Sequence, residues 1–364
     1  MINIIAVGDI MPGGVLNGTN KEYVSEDIKY ILSRGDLRVG TLETAIGNEP
    51  TFYTEKMNRL GDVIYAMDDD LKRLVELNIN VVSLANNHFF DLGPDGASHT
   101  IELLDKLGIK HCGGGCNIEE ASRPAVETIN GKTIAFLAFC DWRKETTGWC
   151  PFATDKEPGV NPMYDNYVVE QIKKYRTLYD YIVVIPHWGT EYILSPSRHV
   201  YRLSHLMIDA GADIIFGGHT HCVQPIVSFK HKTIVYSLGN FLFPDRLIIK
   251  PRSTYYSQTP LDLNALPHTD GYPYVEEITF KQWKPMGRIG MIVNVSLNDK
   301  FTNFNSFYTI LTEDNKLTLL DKCPYERDIR TITIQLKSHA YLAFDIIRRI
   351  KAIATYKLRQ VLNK

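Results

Sequence analysis

Apolar positions along the chain come in two textures. Short β-branched runs at 3–7, 38–42, 80–84, 133–139, 181–185, 212–216 and 233–237 read as strands. Between them, residues 22–32, 70–77 (with Asp68 or Asp69 as N-cap), 96–107, 168–178 and 198–210 carry apolar side chains at helical spacing. Strands joined by helical crossovers predict an α/β or α+β fold. No internal repeat or low-complexity block interrupts the pattern.

From Phe243 onward the texture changes. Pro244, Pro251, Pro260, Pro267 and Pro273, with tyrosines and polar residues between them, predict a loop-rich insertion over 244–274 that could act as a lid. Residues 275–280, 290–296 and 307–311 then alternate like antiparallel strands. A helix is expected over 337–362, with Leu342, Ile346, Ile350, Ile353 and Leu358 on one stripe and mostly basic residues elsewhere. Such a helix either covers its own sheet or touches an anionic membrane surface. The chain thus divides into a domain over 1–243, the insertion, and C-terminal strands with a terminal helix over 275–364.

Composition narrows the classes. Lys+Arg 40 against Asp+Glu 42 gives a net charge of −2, so no nucleic-acid partner is expected. The apolar N-terminal run stops at Asp9 without a basic leader, and no run approaches the ~18 residues of a membrane span. A soluble cytoplasmic protein is the expectation. The six cysteines form no C-x-x-C pair and read as buried thiols.

Polar residues with chemistry recur at one address, directly after a predicted strand: Asp9, Glu43, Asn86-Asn87-His88, His187 and His219-Thr220-His221. In open α/β sheets ligands bind beyond the carboxyl ends of strands, so these placements converge on one crevice. Taken singly, each has a structural explanation: a turn cap for Asp9, a solvated carboxylate for Glu43, an Asx-turn for Asn87, a hydrogen-bonded core histidine for His187. Jointly they make three imidazoles, two carboxylates and an amide. That donor set suits Mn, Fe or Zn and is too large for one catalytic ion with an open position. Two ions ~3.5–4 Å apart, bridged by a carboxylate, fit better and would clamp a phosphoryl group. His88 is then placed to protonate a leaving oxygen, with Asp91 to orient it. Trp142, Arg143, Lys144, Trp188, Glu191 and Tyr192 are candidates to shape a substrate pocket, as are Arg246, Lys250 and Arg252 of the insertion.

Gly8-Asp9, Thr41-Leu42-Glu43, Ser83-Leu84-Ala85-Asn86-Asn87-His88 with Asp91 and Gly93, His187-Trp188-Gly189-Thr190-Glu191-Tyr192, Gly217-Gly218-His219-Thr220-His221 and Tyr236-Ser237-Leu238-Gly239-Asn240-Phe241 occur in order over 1–243. Together they resemble the CapA/PgsA family of poly-γ-glutamate capsule synthesis, within the calcineurin-like metallophosphoesterase superfamily. The resemblance implies a four-layer αββα sandwich, metal ligands at Asp9, Glu43, Asn87, His187, His219 and His221, with Glu43 bridging, and His88 as acid or phosphate contact. Where the superfamily's first motif, Asp-x-His, carries a histidine two positions after the aspartate, this chain has Met11.

Two functions follow from these residues. One is a metal-dependent hydrolase of a phosphoester, its partner a phosphorylated small molecule or an acidic polymer. The other is a metal-containing binding or assembly factor for such a polymer, or an amide hydrolase or transferase acting on it, with little phosphatase turnover.

Overall fold

The structure, a computed structural model, describes residues 1–47, 64–141, 150–250, 255–256, 277–299 and 301–337. Trp142, Arg143, Lys144, most of the 244–274 insertion and the predicted 337–362 helix beyond Lys337 lie outside the described residues.

Two sheets make the frame. The first has seven strands in the order Leu317–Leu320, Thr302–Leu311, Ile289–Leu297, Ile2–Ile10, Leu37–Leu42, Val81–Ser83 and Lys110–Cys112. Ile2–Ile10 pairs in parallel with Leu37–Leu42 and antiparallel with Ile289–Leu297, register Ile2 to Leu297. The C-terminal strands therefore extend the sheet that the N-terminal strand begins. The second sheet has six strands, in the order Ile226–Phe229, Lys232–Val235, Ile214–Phe216, Tyr181–His187, Lys132–Cys140 and Ala125–Ile129. Its middle four run parallel.

Alternation of side chains explains how the sheets stack. In the second sheet Ile134, Phe136, Ala138, Val183, Ile185 and Phe216 enter a core shared with the first sheet. Their neighbours Ala135, Leu137, Phe139, Ile182, Val184 and Ile215 point the other way, onto Val168, Ile172, Leu203 and Met207 of the Asp165–Arg176 and Arg198–Ala210 helices. Ile28, Leu32, Leu74 and Leu104 bring the Glu26–Ser33, Lys72–Glu76 and Gly93–Leu107 helices onto the core that holds the first sheet. The result is an αββα sandwich.

Several expected elements shift for physical reasons. The helix predicted over 22–32 starts only at Glu26, because Tyr23 and Ser25 bond to Leu317 and keep the chain extended there. Residues 70–77 fold as a 3-10 turn, Asp68–Leu71, followed by a short helix, Lys72–Glu76. The proline-rich insertion still holds a strand, Arg246–Lys250, between Pro244 and Pro251, and it pairs with Glu277–Lys281. A helix over Glu326–Lys337 buries Ile329, Ile332 and Leu336, a stripe that the sequence reading passed over. Cys116 is exposed, unlike the other five cysteines, and all six are free. Among the described residues no helix is long and apolar enough to cross a membrane.

Candidate metal centre

Strand ends from both sheets meet at one place. Asp9 is the penultimate residue of Ile2–Ile10, Glu43 follows Leu37–Leu42, and Asn87 and His88 lie in the turn after Val81–Ser83. His187 ends its strand, and His219 and His221 occupy the loop after Ile214–Phe216. Backbone bonds lace the two groups together: the Asp9 N–H donates to the Gly239 carbonyl (3.0 Å) and the Phe241 N–H to the Asp9 carbonyl (2.9 Å). The Leu238 N–H in turn reaches the Gly217 carbonyl (3.0 Å). Only glycine permits this approach, since a Cβ on Gly8 would lie 1.9 Å from the Gly239 carbonyl oxygen, and one on Gly218 would lie 2.5 Å from Asp9 Oδ1. His219 and His221 themselves sit at φ 84° and 49°. Such left-handed backbone in non-glycine residues is held against its own strain, and it clusters at functional sites.

The side chains form two sets that share one carboxylate. Ligand atoms of Glu43, His187 and His219 lie within 4.8 Å of one another, and so do those of Asp9, Glu43 and His221. In the first set His187 Nε2 is 2.8 Å from Asn87 Oδ1, 3.1 Å from His219 Nδ1 and 3.4 Å from Glu43 Oε1. In the second, His221 Nε2 is 3.7 Å from Glu43 Oε1, and its Nδ1 is 3.9 Å from Asp9 Oδ2. The His219 N–H donates to Asp9 Oδ2 (3.0 Å) and fixes the carboxylate between the sets.

Burial makes this cluster unfavourable without a cation. Desolvation, reinforced by Glu43, pushes the Asp9 carboxyl well above its ordinary range. Desolvation also holds the His187 imidazole down to about 4 and that of His221 to about 3, and keeps His219 well below its usual value. Neutral imidazoles are the metal-binding form. Asp9 Oδ1 and His187 Nδ1 are buried without a hydrogen-bond partner. Converging lone pairs, two buried carboxylates and a nitrogen and oxygen donor set fit bound divalent cations.

Around the sets, His88 Nδ1 is 2.7 Å from Asp91 Oδ2, which also accepts the Ile64 N–H at 2.6 Å. Asn86 braces this turn, donating to the Leu42 carbonyl (2.8 Å) and accepting the His88 N–H (2.9 Å). Glu191 is exposed, and its charge reaches His187. The Tyr192 ring lies 6.2 Å from that of His221. Trp188 is placed elsewhere. One position beyond His187, it faces the opposite side of the sheet, packs in the helix-side core and donates its indole N–H to the Tyr236 carbonyl (2.8 Å). That corrects its expected place in the pocket wall.

Sequence reasoning placed Asn240 in a motif but gave it no role. Its Oδ1 is 2.9 Å from His221 Nδ1, and its Nδ2 donates to the Gly287 carbonyl at 2.8 Å. It missed Trp283, whose ring lies 4.9 Å from that of His221. Met11 is fully buried in the hydrophobic core, so no imidazole stands there.

The fold and the two side-chain sets define an αββα protein with a candidate metal centre between its sheets. The chain belongs to the family described as bacterial capsule synthesis protein PGA_cap, whose profile matches residues 3–245. It is 32% identical over 250 residues to the capsule biosynthesis protein CapA of Bacillus anthracis, covering 66% of this chain and 60% of that one. Identity to the PGA biosynthesis protein CapA of Bacillus subtilis is 31% over 244 residues, 65% and 62% of the two chains. A "Probable polyglutamine synthesis accessory protein" of Mycobacterium tuberculosis is 28% identical over 217 residues, 56% and 55%. The matches span about 60% of the length of the two Bacillus relatives.

Proposed function

We propose that this chain is a metal-dependent hydrolase with a two-position centre, acting on phosphoester bonds in the making or processing of a capsule-type acidic polymer. Glu43 carries the reading: one buried carboxylate belongs to both ligand sets, as a bridge between two cations must. Glu43, Asn87, His187 and His219 would hold one divalent ion, and Asp9, Glu43 and His221 the other, drawn from Mn, Fe or Zn. When bound, the ions supply Lewis acidity that polarises a phosphoryl oxygen and acidifies water. His88, oriented by Asp91 through Nδ1, would deliver a proton from Nε2 to the leaving oxygen. Asn86 keeps His88 in that place through its backbone.

A second reading has its own observation. With Met11 in the core, the Asp9 set has three side chains where a further imidazole would make four. A metal-containing binding or assembly factor for an acidic polymer, with little turnover, needs no more than that.

Elemental analysis, joined to a panel of phosphomonoesters, phosphodiesters and γ-linked glutamyl peptides, tests both. About two metal ions per chain and phosphoester hydrolysis that His88→Ala abolishes support the first. Retained metal and polymer binding without cleavage overturn it in favour of the second.

A further inference from the structure

The side of the centre formed by Asp9 and His221 carries two cations that the hydrolytic reading leaves unused. Trp283 packs on His221 at 4.9 Å, and Phe243 stands edge-on to both, 5.8 Å from His221 and 4.8 Å from Trp283. The buried Arg246 guanidinium lies 4.3 Å from the Trp283 ring and 5.2 Å from Phe243. On the other flank of His221, Tyr192 carries the Lys284 ammonium 4.4 Å over its ring. Lys284 is exposed, and its ammonium meets no carboxylate among the described residues.

The platform under these charges is anchored. Trp283 donates its indole N–H to the Phe243 carbonyl (2.7 Å) and its backbone N–H to Asp245 Oδ1 (2.9 Å). Asp245 is fully buried and takes Arg288 Nη2 at 2.6 Å. Lys284 therefore projects from a fixed neighbour, one aromatic ring away from His221. Positive charge beside a centre built for divalent cations is repulsive unless the bound molecule brings more than one negative charge.

We propose that Lys284, backed by Arg246, receives a second anionic group of the substrate, so that the centre selects molecules carrying a carboxylate or phosphate next to the reacting group. This deepens the hydrolase reading and rests on the same centre. Lys284 lies beyond residues 3–245, the stretch that matches the family, so this selectivity belongs to the chain's own C-terminal part.

The test uses the full chain, loaded with Mn2+ and also without added metal, in calorimetric titrations with γ-glutamylglutamate, its methyl ester and inorganic pyrophosphate. Lys284→Ala is expected to weaken the free dipeptide or pyrophosphate about tenfold, the probe affected telling carboxylate from phosphate, and to leave the ester unchanged. Lys284→Arg restores binding. Equal binding of both oxyanion probes by wild type and Lys284→Ala overturns the proposal, as does no binding at all, or an equal loss for the ester. Metal content measured in each sample separates the two readings. Failure to load metal counts against the hydrolase, whereas the metal-free titration still reports on Lys284.

Discussion

Asn240 fixes which nitrogen of His221 faces the candidate metal centre. Its amide N–H is committed to the Gly287 carbonyl at 2.8 Å, so Oδ1 meets His221 Nδ1 at 2.9 Å, and that nitrogen must carry the proton. Nε2, on the side of Glu43, keeps its lone pair for a cation. Outer partners of this kind orient a ligand and typically set about 10–100-fold in metal affinity.

Asn240→Ala should therefore weaken the ion held by Asp9, Glu43 and His221 by about 10–100-fold, while the set around His187 keeps its metal. Metal titration followed by calorimetry reads this as one lost or weakened binding phase. A variant that keeps both phases at wild-type affinity would show that the amide does not orient His221.

Glu43→Ala removes the group common to both sets. Metal content is expected to fall at both positions, and phosphoester turnover by at least about a hundredfold. The comparison with Asn240→Ala is informative, because a bridging ligand acts on two ions and a neighbour of one ligand acts on one. Elemental analysis beside a turnover assay measures it.

Gly8 and Gly218 are close-approach positions. A methyl group on Gly8 would strike the Gly239 carbonyl oxygen, and one on Gly218 would strike Asp9 Oδ1. Gly8→Ala should cost about 1–3 kcal/mol or more of stability. Gly218→Ala, which can be relieved by turning Asp9, should cost less stability but more metal. Thermal denaturation with and without metal tells the two apart.

At the opposite end of the second sheet, Asp180 accepts the Thr133 N–H at 2.9 Å, with Lys132 at 3.0 Å and the Thr133 hydroxyl at 2.9 Å. These bonds hold its carboxyl down to about 2. A depressed folded-state value means that its contribution is complete above the ordinary aspartate value of about 3.9 and fades as pH falls towards 2. Asp180→Asn should lower Tm at neutral pH, and the gap from wild type should close between about pH 4 and pH 2. A gap that is constant across that range would remove the carboxylate from the account.

Most strands were legible because apolar, β-branched runs stop at a polar residue, and those polar residues line the candidate centre. Asp9, Glu43, Asn87, His187 and His219 could thus be placed by address alone. Trp188 shows where adjacency misleads: it follows His187 in sequence, yet alternation sends it to the other face. Asn240 stood in a motif without a role, because its partner Gly287 lies beyond the proline-rich stretch. Trp283 and Lys284 were hidden for the same reason. Their value depends on a long-range approach to His221 that no local period encodes. The 22–32 helix erred by a turn because pairing of Tyr23 and Ser25 with Leu317 overrides local preference.

The strand bearing Asp9 has Leu37–Leu42 on one side and Ile289–Leu297 on the other. Synthesis reaches the first neighbour at residue 37 and the second only at residue 289. Throughout that interval the N-terminal strand keeps a raw edge, open to wrong partners. Completion of the sheet around Asp9 therefore waits on the Ile289–Leu297 strand.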